Sequence, residues 1–252
     1  MSNLNLALSL TLNHPSVQSV IEIAKEVINN HNVLDTDLLY RLAKRRLKFP
    51  RKGLLSIIQF LINKKVLVEG SKYTRDEVLN NKYRFHLYRF LTSYLGAHFS
   101  SIRKQIITDN RGTLGSSGQL IWHLEMLIKF NYIKKIKIKN YTVFLPYEID
   151  DEIGLLHFVL HDEIYLKIIQ ILISNAKLKK SEVHKLINEK RETIYYRINN
   201  LIEFNIIESS GDNNSLILNP SKKNDIILII TTNSQNKSQI KKFNYNSKEV
   251  KN

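Results

Sequence analysis

Two sets of side chains in this 252-residue chain have the types and spacing for work on a polyanion. Lys134, Lys135, Lys137 and Lys139 crowd a short run in which lysine alternates with Ile136 and Ile138. Ammonium groups along one strand can lie on a row of phosphates and displace their counterions. Just before them, Ser116, Ser117, Gln119 and His123 belong to a stretch of helical apolar spacing. Glutamine can bond adenine through two hydrogen bonds, serine can bond either sort of base edge, and a helix is narrow enough to enter a major groove. The plainer alternative is a solvated edge strand whose lysines block aggregation. Lysines this dense, directly behind such a helix, favour phosphate.

The elements that must position these groups are legible around them. Ser100 to Ile107 has helical apolar spacing, and so does Ser116 to Phe130, with Leu120, Ile121, Leu124, Leu127 and Ile128 as its stripe. Ile133 to Leu145 switches to a strand pattern, folded into a hairpin at Lys139-Asn140. Trp122 is expected to pack against that hairpin. Gly112 to Gly118 is a glycine-rich turn without the Lys-Ser/Thr of a nucleotide loop.

With these residues in view, GAHFSSI, LIWHLEMLIKFNYIKK and TVFLP resemble the archaeal tandem winged-helix transcriptional regulators of the ArsR/MarR-like superfamily. Trp122-His123-Leu124 stands where that family has Tyr-His-Leu, and Asn131-Tyr132-Ile133 where it has Gly-Leu-Ile. SEVHKLINEKRETIYYRINNLIEFNIIE resembles the same pattern again, with Arg197 for the usual His and Asn205 for the usual Gly. The resemblance implies a mostly α (α+β) chain of tandem winged helix-turn-helix modules, each three helices plus a small β-hairpin wing. It also implies a sequence-specific regulator that holds double-stranded DNA, and no enzyme.

Taken in order, residues 1–70 form an N-terminal winged-helix-like module led by a strand, from the alternation of Leu4, Leu6, Leu8, Leu10 and Leu12. Its helices run from Ser16 through Ile28, from Asp35 or Thr36 through Ala43, and from Arg51 to Asn63, with a short strand begun at Val66-Leu67-Val68. Arg45, Arg46, Arg51 and Lys52 flank the start of the third helix, where basic groups and free N–H groups suit a phosphate. Residues 71–147 are the central module, entered by a rigid connector that Thr74 caps. Residues 148–220 are a third module, with Arg191, Thr193, Tyr195 and Asn199 on its reading helix and a wing from Glu208 to Asn219. Residues 221–252 hold a strand, Ile226 to Thr232, and a disordered basic tail.

Composition narrows the classes. The net charge is +15 with a pI near 9.7, so nucleic acid is the leading partner and an anionic membrane surface the second. The charge is uneven: residues 71–147 carry 13 Lys and Arg against 4 Asp and Glu, whereas residues 148–220 carry 8 against 12. The acidic third module leaves room for a homodimer contact or a sensing role. No cysteine is present, which removes disulfides, thiolate metal sites and cysteine nucleophiles. His157 and His161 share a helix face but lack a third ligand, so no metal and no cofactor is expected. Without a signal sequence or an apolar run of about 18 residues, a cytoplasmic, nucleoid-associated protein with no membrane partner is expected. The rival reading is a winged-helix protein–protein scaffold or polymerase-associated factor, docking on transcription machinery without reading DNA sequence.

Overall fold

Val17, Val20, Ala24 and Val27 recur at helical spacing behind Pro15, and the chain obliges with helix α1, Pro15–His31. The computed structural model describes residues 10–109, 117–175, 177–210 and 215–233. They fall into two compact units, Met1–Ile149 and Asp150–Asn252.

The first unit begins with three helices: α1, α2 (Thr36–Leu47) and α3 (Arg51–Asn63). Proline at the first helical position of α1 loses no hydrogen bond there. Asp35 caps α2 by accepting from the Leu38 N–H at 2.9 Å. Leu39, Ala43, Leu54, Ile58 and Leu61 close the core against α1. No strand follows: 64–74 is turn and coil, so the expected strand at Val66–Val68 does not form. A strand needs a partner to satisfy its edge, and this stretch instead bonds to the loop between α1 and α2, Leu34 N–H to Ser71 O and Gly70 N–H to Leu34 O, both at 2.9 Å. Of the expected leading strand, residues 1–9 lie outside the described residues, and 10–14 are not strand.

The connector carries a short turn of helix, α4 (Arg75–Val78), capped by Thr74 and Glu77. It is tied down at both ends: Arg75 N–H donates to Val66 O, the Tyr132 hydroxyl donates to Arg75 O at 2.7 Å, and the Arg75 guanidinium lies 5.0 Å from the Tyr132 ring centroid. Then follow α5 (Lys82–Tyr94), β1 (Ala97–His98), α6 (Phe99–Asp109), α7 (Ser117–Lys129), β2 (Ile133–Ile138) and β3 (Tyr141–Pro146). The sheet is antiparallel in the order β1-β3-β2, with Ala97 opposite Phe144 and Ile138 opposite Tyr141. Leu87, Leu91, Ile102, Leu120, Leu124, Leu127 and Phe130 fill the core above it.

The second unit repeats that frame. Helices α8 (Asp151–Leu160) and α9 (Glu163–Ser174) lead to β4 (Leu178–Lys179), α10 (Lys180–Leu186), α11 (Arg191–Glu203), β5 (Ile207–Ser210) and β6 (Ser215–Leu218). Its sheet runs β4-β6-β5, the same order by position. Asp162 caps α9 through the Ile164 and Tyr165 N–H groups and takes the Arg197 guanidinium at 2.9 Å. Burial raises the Asp162 carboxyl, but Arg197 and the cap bonds together hold it below the usual carboxylate range. The stretch expected as a strand at Ile226–Thr232 is helical instead, α12 over 223–233. Its β-branched run mimics a strand, yet Ile226 and Ile229 are the buried pair, three apart, and no strand edge takes it up among the described residues. The expected tail, from Lys237 onward, lies outside the described residues.

One device recurs three times. Lys65, Asn131 and Asn205, just past α3, α7 and α11, have φ of 54°, 54° and 55°. In each case the next N–H reaches back five residues: Val66 to Leu61 O, Tyr132 to Leu127 O and Ile206 to Leu201 O, all at 2.9 Å. This is the Schellman exit, which uses a left-handed residue to satisfy the last carbonyls of a helix. Glycine is usual there, and asparagine tolerates the conformation better than most.

His157 on α8 supplies a pH dependence. Burial, and then the positive charge of neighbouring His161, push its imidazole down from 6.5 to about 4. The unfolded chain therefore binds the extra proton first as pH falls, so this contribution to stability is whole above about pH 6.5 and is lost on the way down to about pH 4. The expected imidazole NMR titration of His157 has its midpoint near 4, and replacing His157 by Leu flattens the acid side of the thermal-stability profile. A midpoint near 6.5 would contradict this assignment.

Candidate nucleic-acid interface

Helix α7 and hairpin β2–β3 hold most of the expected contacts in the first unit. Lys135 and Lys137 are exposed on one face of β2 and Lys139 is exposed at the turn, with φ 52°. Lys134 is half-buried and shares the opposite face with Ile136 and Ile138, because successive strand residues alternate sides. The exposed strip is thus Lys135, Lys137 and Lys139. Lys135 is already engaged, its Nζ 2.8 Å from Glu125 Oε1 on α7, although both side chains are about half in solvent. Such an exposed pair is worth little and is easily exchanged for a phosphate.

On α7, Ser117 is half-buried, Gln119 is exposed, and Ser116 lies outside the described residues. His123 is buried, only 4% exposed, with its ring 4.6 Å from that of Tyr83, so it does not reach a groove. The stripe read from the sequence is rotated: Leu120, His123, Leu124 and Leu127 point inward, and Ile121 is 50% exposed. Trp122 is 49% exposed, and the Arg84 guanidinium lies 5.6 Å from its ring centroid. The exposed residues of α7 are therefore Gly118, Gln119, Ile121, Trp122, Glu125 and Lys129, with two large apolar side chains among them.

The equivalent helix of the second unit is more polar outside. Arg191, Glu192, Tyr196 and Asn199 are exposed on α11. The Arg191 guanidinium sits 4.9 Å from the Tyr195 ring centroid, which is half-buried beside His184. Thr193 is half-buried, and Asn199 accepts from Lys180 Nζ at 3.0 Å. Arg191 is the first residue of α11, where groove contacts concentrate.

In the first helix trio, Arg45 and Arg46 lie in the last turn of α2, one element earlier than expected, while Arg51 and Lys52 open α3. All four are exposed, and Arg46 pairs with Glu26 of α1. Pro50 caps α3 without a side-chain bond, leaving its first N–H groups without a capping side chain.

His98, Ser100 and Ser101 were not among the expected contacts. His98 ends β1 and its two ring nitrogens lie 2.6 and 3.0 Å from the Ser100 and Ser101 hydroxyls at the start of α6, 6.0 Å from the Tyr141 ring. Burial pushes the His98 imidazole down. The segment GAHFSSI, noted in the sequence for its pattern, was the available signal.

No group of three or more metal-binding side chains occurs among the described residues, and none of their helices is long and apolar enough to cross a membrane. What the frame defines is a mostly helical chain in which short strand, helix, helix and antiparallel hairpin are repeated. No protein-family model matches the chain. The chain is 28% identical over 204 residues to an uncharacterized HTH-type transcriptional regulator of Methanocaldococcus jannaschii; the match covers 78% of this chain. The match covers 49% of that relative, so the chain spans about half its length.

Proposed function

We propose that this chain is a transcriptional regulator that binds double-stranded DNA in a sequence-specific manner through tandem winged helix-turn-helix modules. The observation that carries the reading is the repeated frame, in which each hairpin leaves its second helix through the same left-handed exit. The likeness to a helix-turn-helix regulator supports it. In this reading α11 enters a major groove with Arg191, Tyr196 and Asn199 outward, and the strip Lys135, Lys137 and Lys139 lies on phosphates. Arg45, Arg51 and Lys52 add a second phosphate contact at the free start of α3. Ser117 and Gln119 remain the candidates on α7.

A salt titration tests it. Binding is measured on duplex DNA from the gene's own upstream region and on a scrambled duplex, for the wild type and for a variant with Lys134, Lys135, Lys137 and Lys139 all changed to Ala. The expected result is a preference for the native duplex and a log–log salt slope shallower by up to about 3 units in the variant. Equal weak binding to both duplexes, unchanged by the substitutions, would sink the reading.

One observation favours a second reading for the central module. Ile121 and Trp122 on the outer face of α7 are each about half exposed, which suits a protein partner better than a base edge. If that module is a scaffold, Trp122→Ala leaves DNA affinity unchanged.

A further inference from the structure

Arg84 on α5 is only 3% exposed. Its Nε donates to Val78 O, and its guanidinium lies between two rings, 5.1 Å from the centroid of Tyr73 and 5.6 Å from that of Trp122. Among the described residues no carboxylate pairs with it. Ring faces attract a cation, but a charge withdrawn from water is normally balanced by an opposite one. Arg84 departs from that rule.

Two more polar groups stand unsatisfied beside it. Tyr83 Oη and His123 Nδ1 are buried without a hydrogen-bond partner. Tyr83 precedes Arg84 on α5, and His123 follows Trp122 on α7, so two adjacent pairs face each other where the helices pack. The Tyr83 and His123 rings are 4.6 Å apart, and Trp122 and His123 4.8 Å. A buried polar atom left unpaired in a native fold calls for a reason. Here a guanidinium, a hydroxyl and an imidazole are gathered, and among them they offer donors with nothing anionic to receive them. A planar guanidinium flanked by neutral donors is the arrangement that suits an oxyanion.

We propose that Arg84, Tyr83 and His123 form a binding site for a small oxyanion, a carboxylate or a phosphate, entered past Trp122. Trp122 is the cover: it is already half in solvent, so swinging its indole aside gives up only part of its burial and bares the guanidinium. Arg84 and His123 are both buried, so neither is among the DNA contacts proposed above.

The chain has a single tryptophan, so fluorescence excited selectively at tryptophan, beyond the tyrosine absorption band, reports on this cover alone. The full chain is titrated with sodium phosphate and, separately, with sodium acetate, ionic strength being held constant with sodium chloride. A saturable fluorescence change with a matching rise in melting temperature is expected for one of the two, and which one distinguishes a phosphate from a carboxylate ligand. Arg84→Met should weaken that binding by about tenfold or more, the scale of losing a charged hydrogen-bond partner. Tyr83→Phe removes the orphan hydroxyl, keeps the ring, and should weaken binding severalfold without lowering the anion-free melting temperature. Lys137→Ala should leave it unchanged. If Arg84→Met fails to fold, the contrast between Tyr83→Phe and Lys137→Ala decides. No saturable change with either anion, or affinities equal in Tyr83→Phe, Lys137→Ala and wild type, would overturn the proposal.

Discussion

Phe130→Ala is expected to destabilise the first unit by about 3–5 kcal/mol, the range for deleting a fully buried aromatic side chain. Phe130 is wholly buried, and it follows α7 directly, one residue before the left-handed Asn131. Leu120, Leu124, Leu127 and Phe144 share its core. The cavity would open where the helix hands over to the hairpin, so no neighbouring loop can collapse into it easily. Urea unfolding of wild type and variant measures the loss. A change under about 1 kcal/mol would mean that the site relaxes, against the rule for packed interiors.

The second large effect is on binding. Arg191→Ala should cost about 1–3 kcal/mol on the preferred duplex if the guanidinium pairs with a guanine edge, and should relax the preference at that base pair. Arg191 is exposed, begins α11, and is held over the Tyr195 ring rather than by an acid. A guanidinium stacked in this way keeps its planar donor fork free for bidentate bonding. If Arg191 touches only phosphate, the loss is uniform across sequences and the salt slope falls by about 1. Fluorescence anisotropy on single-base variants of the duplex separates the two. No loss on any duplex would remove α11 from the interface.

The ordered helices were legible because their signals are local. Arg51 to Asn63 has its boundaries written by Pro50 before it and by the end of the apolar stripe, and the structure places α3 there. Thr74 before Arg75 announced a cap, and it caps. Asn131 and Asn205 stood out as replacements for glycine, and both adopt the left-handed conformation. What escaped depends on distant partners. β1 and β4 are two residues each, too short for a period, and exist because β3 and β6 offer an edge to bond. Ile226 to Thr232 reads as a strand by residue type, and only the packing of Ile226 and Ile229 decides for a helix. His123 was misjudged by type: three residues past Leu120 and four before Leu127, it sits on the inward face that those leucines define. The lysine strip lost Lys134 for the opposite reason, since strand alternation assigns it to the face of the isoleucines.

The first helix trio ends in the same left-handed exit as the other two but grows no hairpin. The chain beyond Lys65 goes instead to Arg75, which is bonded to Asn131 and Tyr132 at the root of β2. That substitution turns an arm into a strut. Arg75 thus fastens the connector to the foot of the hairpin while Lys25 of α1 pairs with Asp76 beside it, and the described residues up to Ile149 pack as one compact unit rather than as two beads on a string.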